Sequence, residues 1–159
     1  LNFIYRFLND LDKAEDILQD TLLKLYTHKD SYKEIAKFST WLYTIAANLS
    51  KTELRKIKRR KTFSVTELSR DDKEFIISSE AAEPDDENFS INFERNVQKA
   101  LENLPVDFKT IIILRDIQEL SYDEISKIVN VPIGTVKSRI NRGRLKLKEL
   151  LQKKGEKLY

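Results

Sequence analysis

The chain has 159 residues, of which 40% are hydrophobic and 35% are charged, a balance that suits small helical cores and excludes a disordered chain. No stretch approaches the roughly 20 apolar residues of a membrane span, so we expect no membrane insertion by this chain. It contains no Cys, no Met and one His, which excludes disulfides, thiol chemistry and Cys/His zinc sites and fits a cytoplasmic protein.

The first residue is Leu1 rather than an initiator Met, and no signal-peptide pattern follows it. We interpret the chain as a trimmed protein or a fragment.

Charge is distributed unevenly along the chain, although the net charge is only +3. Residues 51–61 carry seven basic residues against Glu53. Residues 62–94 carry ten acidic and two basic residues, a net charge of −8, which leaves +11 for the remainder. This pattern predicts two modules that face nucleic acid, separated by an acidic tether.

The N-terminal part reads as three helices. An apolar helix ends near Asn9, and Asp12 with Glu15 three positions later predicts the start of a second helix. A third helix, which we expect Ser39 to cap, continues into the basic run and places Trp41 in the core.

The sequence predicts an all-α fold of two small helical domains joined by an acidic flexible linker. Residues 62–90 are acidic, poor in apolar residues and interrupted by Pro84. Helical periodicity resumes at about Ile91 with a stripe that includes Phe93, and Pro105 suits the first turn of the next helix. The predicted boundaries are 1–61, 62–90 and 91–159.

A helix-turn-helix pattern lies near the C-terminus. Ser121 and Glu124 form a capping-box sequence, residues 130–132 break the helix that follows, and a last helix begins near Gly134. With Val136 and Ile140 inward, the residues left to reach DNA bases or phosphates are Thr135, Lys137, Ser138, Arg139, Asn141 and Arg142. Arg144, Lys146 and Lys148 are candidate phosphate contacts. An exposed basic helix of a bundle is the alternative.

Two parts of the chain resemble the extracytoplasmic-function (ECF) sigma factors of RNA polymerase. One part is the basic run with the helices before it, and the other is the helix-turn-helix with the helices before it. DKAEDILQDTLLKLY at 12–26 and FSTWLYTIAANL at 38–49 are similar to regions 2.2 and 2.3, and the basic run at 51–61 is similar to region 2.4. Residues 104–116 and 120–144 are similar to regions 4.1 and 4.2. The resemblance covers nearly everything except the linker.

The resemblance implies a sigma factor that binds core RNA polymerase and promoter DNA, responds to stress and is held inactive by an anti-sigma factor. It places polymerase binding on Asp16, Gln19, Asp20 and Leu23. It places minus-10 binding on Phe38, Asn48, Lys51, Arg55 and Arg59, with a flipped base held beside the loop at 29–38. It places the minus-35 contacts on the outer face of the last helix.

Two other functions are compatible with parts of the sequence. A helix-turn-helix regulator that is not a polymerase subunit would bind operators, but it leaves residues 12–60 without a role. An enzyme acting on nucleic acid would need a catalytic cluster or a Gly-rich phosphate loop, and the sequence offers only His28 and carboxylates scattered over polar helix faces. We therefore expect no enzymatic activity, no metal and no cofactor.

Overall fold

The computed structural model describes residues 1–32, 37–68 and 86–155, and this part of the chain is almost entirely helical. A 3-10 turn at Lys29–Ser31 follows the second helix, and a π-helical segment at Ile113–Ile117 follows the fifth. The seven α-helices are α1 (Asn2–Leu8), α2 (Leu11–Thr27), α3 (Phe38–Leu68), α4 (Asp86–Asn103), α5 (Val106–Ile112), α6 (Tyr122–Val129) and α7 (Ile133–Gly155).

The N-terminal module consists of α1, α2 and α3. Helix α1 buries Phe3, Ile4 and Phe7, and it ends at Asn9, whose left-handed backbone (φ 51°) terminates the helix. The N-cap of α2 is Asp10, which has an extended backbone and accepts a hydrogen bond from the Lys13 N–H at 3.1 Å. The predicted cap at Asp12 is therefore wrong, because Asp12 already lies in the first helical turn.

Helix α3 begins two residues earlier than predicted. The Lys37 carbonyl accepts the N–H groups of Thr40 and Trp41, so Ser39 is inside the first turn and is not the cap. Trp41 is only partly buried, so its predicted place in the core is wrong as well. The helix continues through the basic run, which therefore lies on a continuous helical scaffold.

The C-terminal module consists of α4 to α7. Helices α3 and α4 extend into the predicted linker, so residues 62–68 and 86–90 are helical, while residues 69–85 lie outside the described part of the chain. Ala100 and Leu101 of α4 and Leu104 directly after it are buried as the stripe predicts, but Phe93 is 57% exposed. Pro105 is the N-cap of α5 rather than its first residue.

The two modules pack against each other. Helix α1 lies against α4, and α3 lies against α6. The buried side chains form one continuous cluster that includes Phe3 and Phe7 of the first module and Leu101 and Ile113 of the second. Two modules joined only by a linker are what the sequence predicts, so this common core is a finding of the structure.

Candidate nucleic-acid and polymerase interfaces

The helix-turn-helix begins with the capping box that the sequence predicts. Ser121 Oγ accepts the Glu124 N–H at 3.3 Å, and a Glu124 carboxylate oxygen accepts the Ser121 N–H at 2.9 Å. Helix α6 then buries Ile125 and Ile128. These contacts hold α6 firmly on the module, as the first helix of such a motif requires.

The turn after α6 is fixed by two local features. Asn130 adopts a left-handed backbone (φ 53°), which ends the helix. The Ser126 hydroxyl reaches across the turn and donates to the Val131 carbonyl at 2.6 Å. The predicted break at residues 130–132 is thereby confirmed, and α7 begins directly after it at Ile133.

The outer face of α7 carries the predicted DNA contacts. Val136 and Ile140 are buried at 0% and 1% exposure, so they fix which face of α7 points outward. Lys137, Asn141 and Arg142 are exposed, whereas Thr135 and Ser138 are partly buried, with Ser138 Oγ donating to the Thr135 carbonyl at 3.0 Å. The helix therefore presents two cations and an amide that are free to meet a base edge or a phosphate.

Two arginines of α7 already have acidic partners in their own module. Arg144 donates to Asp116 through Nε at 3.1 Å and Nη2 at 2.5 Å, which raises the pKa of its guanidinium. Arg139 Nη2 lies 3.7 Å from an Asp107 carboxylate oxygen. A phosphate that approached either arginine would compete with these carboxylates, so the two side chains help to position α7 as well as to contribute charge.

A face of α3 carries the predicted minus-10 contacts. Asn48, Arg55 and Arg59 are exposed and spaced so that they share this face. Lys51 belongs to the same face but is partly buried, and burial lowers its pKa even though the Asp107 carboxylate of the second module opposes the shift. Three of these side chains are therefore exposed to solvent, whereas Lys51 faces the second module.

An aromatic cluster lies at the start of α3. The ring of Tyr32 is 5.2 Å from that of Trp41 and 5.8 Å from that of Phe38, which is itself 52% exposed. Such rings are stacking partners for unpaired bases. Part of the loop expected to hold a flipped base, residues 33–36, lies outside the described residues.

One face of α2 carries the predicted polymerase contacts. Asp16, Gln19, Asp20 and Leu23 are all exposed, and Leu23 is 60% exposed. Leu22 and Tyr26 extend this face with further exposed apolar surface, although Leu22 fits the apolar spacing of the helix. An exposed apolar patch with a polar rim is typical of a protein-binding surface.

The contacts between the modules include functional candidates that the sequence did not reveal. Lys109 is 1% exposed, and its Nζ donates to the Phe7 carbonyl at 2.6 Å. The Tyr43 hydroxyl donates to Gln118 Oε1 at 2.6 Å. The only sequence signal for the first contact is a lysine two positions before a run of buried isoleucines. The partner of a buried lysine cannot be read from such a run.

The Lys37 ammonium also crosses between the modules and lies 2.9 Å from a Glu124 carboxylate oxygen. This hydrogen bond, together with those from the Ser121 N–H and hydroxyl, lowers the pKa of Glu124 to about 2. Glu124 thus caps α6 and ties that helix to the first module.

A helix-turn-helix with a cationic outer face, placed after a module with a second basic helix, defines a DNA-recognition protein. Comparison with protein families agrees with this division. The model of sigma-70 region 2 matches residues 1–60, and the model of sigma-70 region 4 matches residues 94–147.

Relatives from several bacteria match nearly the whole chain. The ECF RNA polymerase sigma factor SigW of Bacillus subtilis is 38% identical over 93% of this chain and 80% of its own length. The RNA polymerase sigma-H factor of Pseudomonas aeruginosa is 33% identical over 96% of this chain and 80% of its own length. The chain belongs to the ECF sigma factors of the sigma-70 family.

Two solved structures have the same fold as this chain. The sigma factor RpoE of Bartonella quintana, in complex with the anti-sigma factor NepR, superposes with a TM-score of 0.64 at 30% identity and covers 95% of this chain and 88% of its own. CnrH, in complex with the cytosolic domain of CnrY, superposes with a TM-score of 0.65 at 21% identity, covering 94% of this chain and 78% of its own. The second likeness concerns the fold alone.

The protein is therefore a sigma factor, which binds core RNA polymerase and directs promoter-specific initiation of transcription. This assignment gives residues 1–60 a role that a free-standing helix-turn-helix regulator would leave unexplained. Among the helices that the structure describes, none combines the length and the apolar character needed to cross a bilayer.

Proposed function

We propose that the outer face of α7 reads the minus-35 duplex through Lys137, Asn141 and Arg142. The single observation that carries this proposal is the burial of Val136 and Ile140, because it fixes these three side chains outward from a capped and packed helix-turn-helix. Thr135 and Ser138 flank them at the start of the helix, and Arg139 adds a phosphate contact beside its bond to Asp107.

The minus-10 element is bound by the exposed face of α3. Arg55 and Arg59 contact phosphates of the DNA strand, and Asn48 contacts a base edge. Phe38 supplies a stacking surface for a base next to Trp41. Lys51 lies on the same face of α3 and adds a partly buried cation to it.

Core polymerase docks on α2 through Asp16, Gln19, Asp20 and Leu23. The exposed apolar side chains of Leu22 and Tyr26 enlarge this surface and give it an apolar centre. A binding surface with an apolar centre gains most of its affinity from a few buried anchors, so Leu23 is the residue whose loss matters most.

Residues 1–61 form the module that binds polymerase and the minus-10 element, and residues 91–159 form the module that binds the minus-35 element. The acidic residues between them tether the two modules. Each module contributes modest affinity for DNA, and polymerase holds both near their promoter elements. The effective concentration that results turns two weak contacts into selective recognition. The acidic tether also suits basic walls of the polymerase that otherwise meet nucleic acid.

The protein acts in the cytoplasm, uses no cofactor and catalyses no reaction of its own. Promoter melting is driven by the capture of unpaired bases, which offsets the few kcal/mol lost on unstacking a base. An anti-sigma factor is a further partner, since a solved relative is bound to one.

Run-off transcription from a library of promoters tests the assignment of roles. Core polymerase with the wild-type chain should give promoter-specific transcripts that are absent without it. Arg142→Ala should reduce transcripts that depend on a minus-35 element, Arg55→Ala should reduce those that depend on minus-10 capture, and Leu23→Ala should reduce all of them.

The matched control is Arg95→Ala, which removes an exposed arginine of α4 that is not among the proposed DNA contacts. Its transcript pattern should equal that of the wild type. If Arg142→Ala and Arg95→Ala gave the same pattern, the placement of minus-35 recognition on α7 would be wrong.

A further inference from the structure

Arg144 differs from the other cations of α7 because a carboxylate binds it. Between residues 137 and 148 the helix carries six cations, which are Lys137, Arg139, Arg142, Arg144, Lys146 and Lys148. In the described part of the chain, Arg144 alone among these six donates hydrogen bonds to a carboxylate, through Nε at 3.1 Å and Nη2 at 2.5 Å to the two oxygens of Asp116. The edge of its guanidinium formed by Nε and Nη2 is therefore already occupied.

The backbone holds Asp116 in a fixed position beside α7. Asp116 lies in the π-helical segment that follows α5, and short π-helical insertions are frequent at functional sites. Ile113 and Leu114 of this segment are completely buried. On the other side, the Arg115 guanidinium donates to the Leu120 carbonyl at 2.8 Å and fixes the turn. Because the carboxylate is anchored from both sides, the longer arginine side chain is the partner that can turn away.

Arg144 lies on the side of α7 that carries the proposed DNA contacts. The spacing of four and then three residues places Lys137, Asn141 and Arg144 on one side of the helix. Arg144 is about 10 Å along the helix axis from Lys137, at about 1.5 Å per residue. The Arg144 side chain is 50% exposed, whereas that of Asp116 is 31% exposed. Arg144 is therefore open to an approaching phosphate on the side away from Asp116.

Asp116 and a DNA phosphate compete for the same N–H groups. A guanidinium binds a carboxylate and a phosphate through the same pair of parallel hydrogen bonds. Binding to DNA of any sequence depends on phosphate contacts, and each contact contributes about 0.9 to the slope of log affinity against log salt. A carboxylate that occupies a cation of α7 therefore removes one such contact.

We propose that Asp116 restrains Arg144 and thereby lowers the affinity of the protein for duplex DNA that lacks a promoter element. This inference rests on the proposed function of α7 as the helix that reads the minus-35 element. Duplex without that element offers α7 only phosphates, whereas the minus-35 element also offers base edges. Weak sequence-independent binding keeps the protein available for core polymerase, because a genome offers about 10⁶ or more competing sites.

Fluorescence anisotropy with a labelled duplex of random sequence measures the restraint. Asp116→Asn keeps the size of the side chain and removes its charge, so Arg144 is released. This variant should bind the random duplex at least about threefold more tightly than the wild type at about 50 mM salt, with a slope steeper by about 0.9. The gain should be about 3.5 times larger at about 50 mM than at about 200 mM salt. A purely structural role of the pair predicts weaker binding instead.

A second substitution shows whether the gain passes through Arg144. Asp116→Asn combined with Arg144→Ala should have the same slope as Arg144→Ala alone, because no released arginine remains. If Asp116→Asn tightened binding and steepened the slope equally in both backgrounds, the gain would come from the lost negative charge alone, and the proposal would be wrong.

The matched control is Asp12→Asn, which removes the same charge from an exposed aspartate of α2 that is not among the proposed DNA contacts. Its affinity and slope on the random duplex should equal those of the wild type. Equal effects of Asp12→Asn and Asp116→Asn would overturn the proposal, since net charge rather than the position of Asp116 would then control binding.

A duplex that contains the minus-35 element separates this proposal from the function on which it rests. Arg142→Ala should lose preference for that duplex over the random one, and a retained preference would count against base reading by α7. An unchanged affinity and slope of Asp116→Asn on the random duplex would instead count against the restraint. The two failures are distinguishable because they appear in different variants and on different measurements.

Discussion

Gly143 offers a direct test of how α7 is seated on α5. A Cβ at this position would lie 3.1 Å from Ile112 Cγ1, 3.3 Å from Ile112 Cδ1 and 3.4 Å from Phe108 Cβ. Gly134, in the first turn of the same helix, has nothing within 4 Å of the corresponding position. The two glycines therefore lie in the same helix but differ in the space available for a side chain.

The expected cost follows from two opposing effects. Alanine stabilises a helix interior by about 1 kcal/mol relative to glycine, and at Gly143 the crowding against Ile112 offsets much of this gain. Valine adds two methyl groups where even Cβ is tight, and such overpacking typically costs about 1–3 kcal/mol. Gly143→Val should therefore lower the free energy of unfolding by about 1–3 kcal/mol, while Gly134→Val should change it far less.

Urea unfolding monitored by circular dichroism measures both free energies, and fluorescence anisotropy with a minus-35 duplex measures the consequence for α7. Gly143→Val should weaken duplex binding, because it pushes the recognition helix away from α5. Unfolding midpoints that fell equally for the two valine variants would refute the reasoning, since the cost would then come from the valine in a helix and not from contact with Ile112.

Three further results are expected. Ser121→Ala removes the N-cap of α6 and should cost about 1 kcal/mol, or about 2–4 °C in Tm if the modules melt together, while Ser121→Thr should retain most of the stability. The lowered pKa of Glu124 means that its stabilisation is present above about pH 4.5 and is lost as the pH falls toward 2, so Glu124→Gln should lose less Tm than the wild type over that range. Lys146→Ala removes a candidate phosphate contact and should reduce the slope of log Kd against log salt by about 0.9 on duplex DNA of any sequence, whereas loss of a base contact would leave that slope unchanged.

The sequence correctly predicts features that depend on interactions between residues close together in the chain. The capping box of Ser121 and Glu124 was predicted correctly because both partners lie within one turn of each other. The sequence pattern favours Asp12 as the cap of α2 because Glu15 follows it three positions later, whereas the extended backbone of Asp10 in the structure shows that Asp10 is the cap. Phe93 fits the apolar periodicity of α4 yet is 57% exposed, since periodicity does not say how far a core extends along a helix.

The candidate site residues also fall into two groups. The position of some follows from local spacing, whereas the contacts of others depend on residues far away in the chain. The outward position of Lys137, Asn141 and Arg142 follows from helical periodicity once Val136 and Ile140 point inward, and the structure bears this out. The ion pair of Arg144 with Asp116 joins residues 28 positions apart, and the partial burial of Lys51 depends on another module. No pattern along the chain indicates either contact.

The sequence by itself determined the helices, the helix-turn-helix and the two charged faces, because helix formation, capping and amphipathic spacing act over a few residues. Tertiary structure alone decided how the modules meet. Lys109 and the Phe7 carbonyl are 102 residues apart, and a backbone carbonyl carries no side-chain identity that a sequence could display. Their contact depends on the folded shapes of both modules, which bring a buried cation to the end of a helix that would otherwise have faced water.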